Sequence, residues 1–301
     1  MDKNIIEISK LNSKILNDAE NYIEKCENNY KNQMEKIVSF IKLNEEIKFI
    51  LLAGPSSSGK TTTAKLICEN LEEHGFNAKT ISLDDFFVER KDTPLWEDGT
   101  KNYESVDAID WKLFDSCMHN LLTTKKTIMP SYDFISGTKS FTRTLELNDK
   151  DIIIIEGLHS LNPIIDNFIS TNLSLKIYLA PIIEYIKNDE TIMTGTDLRF
   201  FRRLIRDVYT RGSTPQKTLD EWKGVLLGEK LYIDPYKATA NFTINSSHPY
   251  EICVYKYCLK DLDMVDYPSL YDKLKPFESV AMLDKNLVPK DSLLQEFVHW
   301  L

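Results

Sequence analysis

Glycine and proline are missing from the first fifty-three residues; Gly54 and Pro55 are the first of each. Nothing in that stretch breaks a long helix. Cysteine is sparse and odd in number, five without a C-x-x-C pair, which excludes a disulfide framework and argues against a zinc site. A reducing cytoplasm fits such a chain. Apolar runs are short, such as 49–53 and 152–155, far below the roughly 20 residues of a membrane span. Residues 1–14 mix charges with isoleucines, which is not the layout of a signal peptide. Excess positive charge is also lacking: 37 basic against 46 acidic residues leave −9, unlike a general nucleic-acid or anionic-membrane binder. With 42% hydrophobic and 28% charged residues, the 301-residue chain is an ordinary globular composition rather than a disordered one. Arginine is the scarcest cation. Only seven occur, and five of them, Arg199, Arg202, Arg203, Arg206 and Arg211, fall within thirteen residues. An acidic chain that gathers its arginines in one place handles a phosphate there.

Before Gly54, Ile8, Leu11, Ile15, Ala19, Ile23, Cys26, Tyr30, Met34, Ile37 and Ile41 recur at steps of three or four. That spacing predicts a helix from Ile8 to Leu43, broken at most once, with one apolar seam. From residue 47 the pattern changes to short apolar strands alternating with helices. Strands are expected at 47–53, 78–83, 152–155, 176–180 and 241–245, and helices at 60–74 and 108–122. This alternation predicts an α/β fold with a parallel sheet covered on both faces, its functional residues at the carboxyl ends of strands.

The strongest motif is Gly54, Pro55, Ser56, Ser57, Ser58, Gly59, Lys60, Thr61, a full G-x-x-x-x-G-K-[ST] loop with Thr62 following. It sits between a predicted buried strand and a predicted helix, the context it needs. The glycines let backbone N–H groups face a polyphosphate, and the helix N-terminus adds partial positive charge. Lys60 reaches the terminal phosphates, and the Thr61 hydroxyl is placed for Mg²⁺. The run Asp151 to Glu156 reads as a buried strand delivering an acid at its carboxyl end, which assists the same metal. Asp84 and Asp85 leave the second strand, where alternation sends them to opposite faces. Asp84 can accept the proton of an attacking hydroxyl; turn-capping aspartates are the plainer alternative. On a helical wheel Arg199, Arg202, Arg203 and Arg206 share an arc opposite Leu198, Phe201, Leu204 and Ile205. The expectation is a lid helix whose arginines clamp phosphate, against the ordinary alternative of a solvated basic face. Residues 130–134 look like a turn followed by an aromatic wall. His159 lies near the site, and a lone histidine is more often structural. An N-K-x-D guanine-reading motif is lacking, which counts against a GTPase.

Taken in order, GPSSSGKTT, SLDDFF, NYESVDAID, PSYDF, IIIIEG and RRLIRD-x-x-x-RG resemble the uridine kinase/phosphoribulokinase family of P-loop kinases. EGLHSLN and GEKLYIDPY resemble bacterial uridine-kinase-like proteins that often carry an upstream domain similar to the start of threonyl-tRNA synthetase, which this sequence lacks. The resemblance implies that Asp84 is the catalytic base and that Thr61 and Glu156 serve the metal. It implies Arg206 and Arg211 for the phosphates, and Arg203 and Tyr132 for the acceptor, with Phe87 where many relatives have tyrosine. The chain departs from the family pattern at Glu104, where an aspartate is usual, and at Gly137, where a histidine contacts the pyrimidine. Ser213 stands where an arginine follows R-G.

The expected molecule is therefore a P-loop kinase fold with a long N-terminal helical segment at 1–46. Its kinase domain spans 47–301, with an arginine-bearing lid at 196–213. The expected activity is Mg²⁺- and ATP-dependent phosphorylation of the 5′-hydroxyl of a ribonucleoside, uridine first. A different nucleoside or a sugar phosphate is the alternative acceptor, and a non-catalytic ATP-binding regulatory module is the alternative class. Neither nucleic acid nor membrane is an expected partner, and a homo-oligomer is compatible with the sequence.

Overall fold

The computed structural model of the chain describes residues 4–260 and 267–299. The breaker-free opening forms α1 (Ile8–Leu43), interrupted only at Asp18, whose φ of −161° and ψ of 77° are non-helical. There the Asp18 side chain accepts from the backbone N–H of Asn21 at 3.3 Å and caps the second segment. The expected seam is buried, from Ile8 through Tyr30 to Ile41, in one core with α2 (Lys60–Glu73).

Five parallel strands make the central sheet, in the order β10 (Phe242–Asn245), β7 (Ser174–Ala180), β2 (Phe49–Ala53), β6 (Ile152–Glu156), β3 (Ala78–Ser82). All five were expected, with ends displaced by at most two residues. Every residue of β2 and β6 is buried, so their sequences are continuous apolar runs rather than alternating ones. The register sets Leu52 and Ser82 on either side of Glu156. The loop after β2, the acid of β6 and the chain leaving β3 are thereby neighbours. The helix expected at 108–122 is α3 (Trp111–Thr124), delayed because Asp110 caps it, accepting from the Leu113 N–H at 3.1 Å.

Three features differ from expectation. Residues 130–134 do not open with a turn. Residues 130–133 lie on β4 (Lys126–Asp133), paired with β5 (Thr138–Glu146), and Phe134 begins the turn between the two strands; Pro130 occupies a register shift between Met129 and Ser131, where its missing N–H costs no ladder bond. A small sheet of β1 (Asn4–Glu7), β8 (Ile183–Lys187) and β9 (Glu190–Thr194) was not foreseen, its strands being short and partly exposed. The third correction concerns α4 (Gly195–Arg211). Arg199 and Arg202 do not share a solvent-facing arc with Arg203 and Arg206; they are 2% and 0% exposed. Their side of α4 is covered by α5 (Pro215–Tyr232), α6 (Glu251–Leu259) and α8 (Gln295–Val298), while α7 (Tyr271–Glu278) closes on Phe201. Arg202 donates to both Glu251 oxygens at 2.8 and 3.0 Å, and to the Ser246 carbonyl at 2.8 Å.

Removing one member of this buried pair leaves an uncompensated charge. Arg202→Met is expected to cost about 3–5 kcal/mol in urea unfolding. The double variant Arg202→Met/Glu251→Leu should recover most of that loss. A single variant within about 1 kcal/mol of wild type would show that the pair does not hold the fold.

Candidate active site

The loop after β2 reverses through Ser57 at φ +59° and Gly59 at φ +92°, and α2 starts at Lys60. A side chain at 59 would be strained at that φ, and its Cβ would lie 2.5 Å from Leu293 Cδ1. The helix N-terminus thus opens into a cavity of about 1310 Å³ lined by Ser56, Ser57, Gly59, Lys60 and Thr61. Gly54, Pro55, Ser58 and Thr62 complete the loop behind that lining. Lys60 Nζ donates to the Pro55 carbonyl at 3.3 Å, folded against its own loop. Thr61 Oγ1 donates to Glu156 Oε1 at 3.0 Å, and among the described residues the buried Glu156 Oε2 has no hydrogen-bond partner. Burial, and then the charge of Asp84, push the Glu156 carboxyl up from its ordinary range.

Asp84 lines the same cavity. β3 ends at Ser82, and residues Leu83–Phe86 form a 3₁₀ turn, so strand alternation is not what separates the two aspartates. Successive residues of such a turn point about 120° apart. Asp85 faces the β4–β5 hairpin, where its oxygens accept from the Tyr132 N–H at 3.4 Å and Arg143 at 3.5 Å. Beyond Asp84 the cavity wall is aromatic: Phe87, Tyr132 and Phe134 have ring centroids 5.1–5.8 Å apart. Glu104 stands on α5, where Gly228 permits the approach; a Cβ at 228 would lie 2.2 Å from Glu104 Cβ. Burial pushes the Glu104 carboxyl up to about 7, opposed by Arg203 and Lys60. His159 is buried as well, and that burial holds it down at about 4, a neutral ring at physiological pH.

Arg203, Arg206 and Arg211 reach the cavity from α4. All three meet one buried carboxylate, Asp207, at 3.3, 3.0 and 3.3 Å. Asp207 is a residue that sequence reasoning passed over. The available signal was its position, four residues from both Arg203 and Arg211 on one helix. Arg90 was also missed. It donates to the carbonyls of Phe134 and Ile135 at 2.5 and 3.2 Å, and it fills the space beside Gly137, where a Cβ would lie 2.7 Å from Arg90 Nε. Glu296, from α8, lines the cavity too, and no local spacing announces it.

A loop of this form, with an acid on the adjacent strand and arginines opposite, has the chemistry to hold a polyphosphate. The model of the phosphoribulokinase / uridine kinase family matches residues 49–252. The chain belongs to that family. A uridine kinase of Lactobacillus helveticus is 30% identical over 201 residues, 66% of this chain and 87% of the relative. One from Halobacterium salinarum is 29% identical over 194 residues, 64% and 77% of the two chains. A solved structure from Bacillus stearothermophilus, described as a possible uridine kinase, is 19% identical, covering 71% of this chain and 97% of its own, with a TM-score of 0.45. The protein is a kinase with the P-loop kinase fold. Among the described residues no helix is long and apolar enough to cross a membrane.

A carboxyl raised by burial favours folding while protonated. Glu104 therefore contributes stability below its unfolded value near 4.5, and loses it as pH rises through about 7. The change amounts to about 3 kcal/mol. Relative to wild type, Glu104→Gln should gain several degrees of melting temperature at pH 8 compared with pH 5. An equal difference at both pH values would mean that Glu104 is not a buried acid.

Proposed function

We propose that the protein transfers the γ-phosphoryl group of ATP to the 5′-hydroxyl of a ribonucleoside, with uridine the first acceptor. The observation that carries this reading is Asp84 in the same cavity as Lys60 and Thr61. A module that only senses ATP needs no acid opposite its phosphate loop. The backbone N–H groups from Gly54 to Gly59, with the N–H of Thr62, cradle the polyphosphate, and Lys60 holds its terminal oxygens. The acceptor hydroxyl attacks the γ-phosphorus, its proton passes to the Asp84 carboxylate, and the bond to the β–γ bridging oxygen breaks to release ADP. Arg206 and Arg211, in the lid segment 196–213, stabilise the charge that develops on the transferring group. Phe87, Glu104, Tyr132 and Arg203 bound the acceptor. Residues 47–301 act as the kinase domain, and 1–46 as a helical segment attached to it.

Thr61 and Glu156 fit a hard divalent cation, since a buried carboxylate oxygen without a partner among the described residues lies beside a hydroxyl. Held by Thr61 and Glu156, Mg²⁺ would supply neutralisation of phosphate charge. Five free thiols, four of them buried, support a cytoplasmic location.

A second reading keeps the chemistry and changes the acceptor to another nucleoside or a sugar phosphate. Arg90 in the space beside Gly137, and the longer Glu104, favour it, because both alter the wall that meets the acceptor.

ADP release from Mg²⁺-ATP across uridine, cytidine, other nucleosides and sugar phosphates tests both readings. Acceptor-dependent ADP supports a kinase, and the best acceptor chooses between them; no acceptor-dependent ADP favours the binding module. Lys60→Ala should abolish turnover. Asp84→Asn should lower kcat by roughly 10²–10⁴ with ATP affinity nearly unchanged, whereas Asp85→Asn should retain turnover and lose only hairpin docking. An active Asp84→Asn enzyme would remove Asp84 as the base.

A further inference from the structure

The family match ends at residue 252, yet the chain beyond it returns to the phosphate loop. Leu293 packs against Gly59, and the Phe297 ring lies 5.0 Å from the Arg202 guanidinium. This segment is fixed from behind by α1: Ser292 Oγ donates to Glu27 Oε1 at 2.7 Å, and Lys31 pairs with Asp291 at 2.5 Å. From this braced position Glu296 enters the cavity, where its Oε2 accepts from Thr62 Oγ1 at 2.6 Å. Among the described residues its other oxygen accepts no hydrogen bond.

Two carboxylates therefore flank the start of α2. Thr61 turns to Glu156, on the side where Asp84 and the proposed transfer lie. Thr62, about 100° further round the helix, turns to Glu296. A donor whose terminal phosphates meet Lys60 must carry its nucleoside away from the Asp84 side. An acid beside a phosphate would repel it, whereas beside a sugar a carboxylate accepts from vicinal hydroxyls. We propose that Glu296 is a donor-specificity residue whose carboxylate binds the ribose hydroxyls of the nucleoside triphosphate, held in place by Thr62. The inference rests on the assignment of the loop as the ATP site.

Calorimetric titration of the full chain with Mg²⁺-ATP and with Mg²⁺-2′,3′-dideoxy-ATP, without acceptor, tests it. Wild type should bind ATP about tenfold or more tightly than the dideoxy analogue, the range for hydrogen bonds to a charged acceptor. In Glu296→Ala that ratio should fall close to one through weakened ATP binding, with the analogue nearly unaffected. Glu296→Gln retains an oxygen for Thr62 and guards against a folding defect; its ratio should also fall. A wild-type ratio near one, or a ratio unchanged in both variants, would overturn the proposal while leaving the ATP site intact. Tighter binding of both nucleotides by Glu296→Ala would overturn it too, by showing that the acid opposes phosphate. If folded wild type binds neither nucleotide, the ATP site falls together with the inference.

Discussion

The phosphate loop depends on a guanidinium that never meets solvent. A loop that turns its N–H groups toward a ligand leaves carbonyls on its outer side, and buried carbonyls need donors. Arg202 supplies them, with Nη1 3.4 and 3.3 Å from the carbonyl oxygens of Ser57 and Ser58, while Glu251 balances its charge. Neighbouring arginines continue the pattern: Arg199 donates to the Ser56 carbonyl at 3.4 Å, and Arg203 to the Ser56 hydroxyl at 3.1 Å. One helix therefore shapes the loop from outside and also sends Arg203, Arg206 and Arg211 into the cavity. Loop geometry and cation placement are set by the same rigid element, which favours a preorganised site.

Crowding three guanidinium groups at one end of a helix carries an electrostatic cost. Arg211 registers it: burial, and then the charge of Arg206, lower it to about 10. It remains cationic at neutral pH, and Asp207 pulls the other way. Because Asp207 takes one contact from each arginine, donor groups remain on all three for an incoming phosphate. The buried acid limits repulsion among the three arginines without cancelling their net positive charge.

What could be read from the sequence follows from how local each constraint is. β2 and β6 were legible because strands buried on both faces need uninterrupted apolar residues. The loop was legible because glycine, lysine and threonine must stand at fixed spacing to hold a polyphosphate. The arginine helix was half legible. Arginine in place of lysine did signal planar, multidentate contacts, but for Arg199 and Arg202 those contacts are internal, and a helical wheel cannot tell which face other helices cover. The hairpin was obscured by Pro130, whose bulge a sequence reading takes for a turn. Glu296 was illegible because its partner Thr62 is 234 residues away, and no periodicity spans that distance.

The residues proposed for phosphoryl transfer and those proposed for the acceptor stand on different supports. Lys60, Thr61, Asp84 and Glu156 leave the ends of three adjacent strands, so their spacing follows from sheet register and tolerates little change. Glu104 rests on α5 through Gly228, Trp96 approaches the same helix through Gly224, and Arg90 is anchored on the loop between β4 and β5. Those contacts are made by loops and by one helix face, which can be repacked without moving a strand. The acceptor wall is free to diverge while the transfer chemistry is not. That separation is the physical reason the chain reads clearly as a kinase of its family while its departures gather where the acceptor would sit.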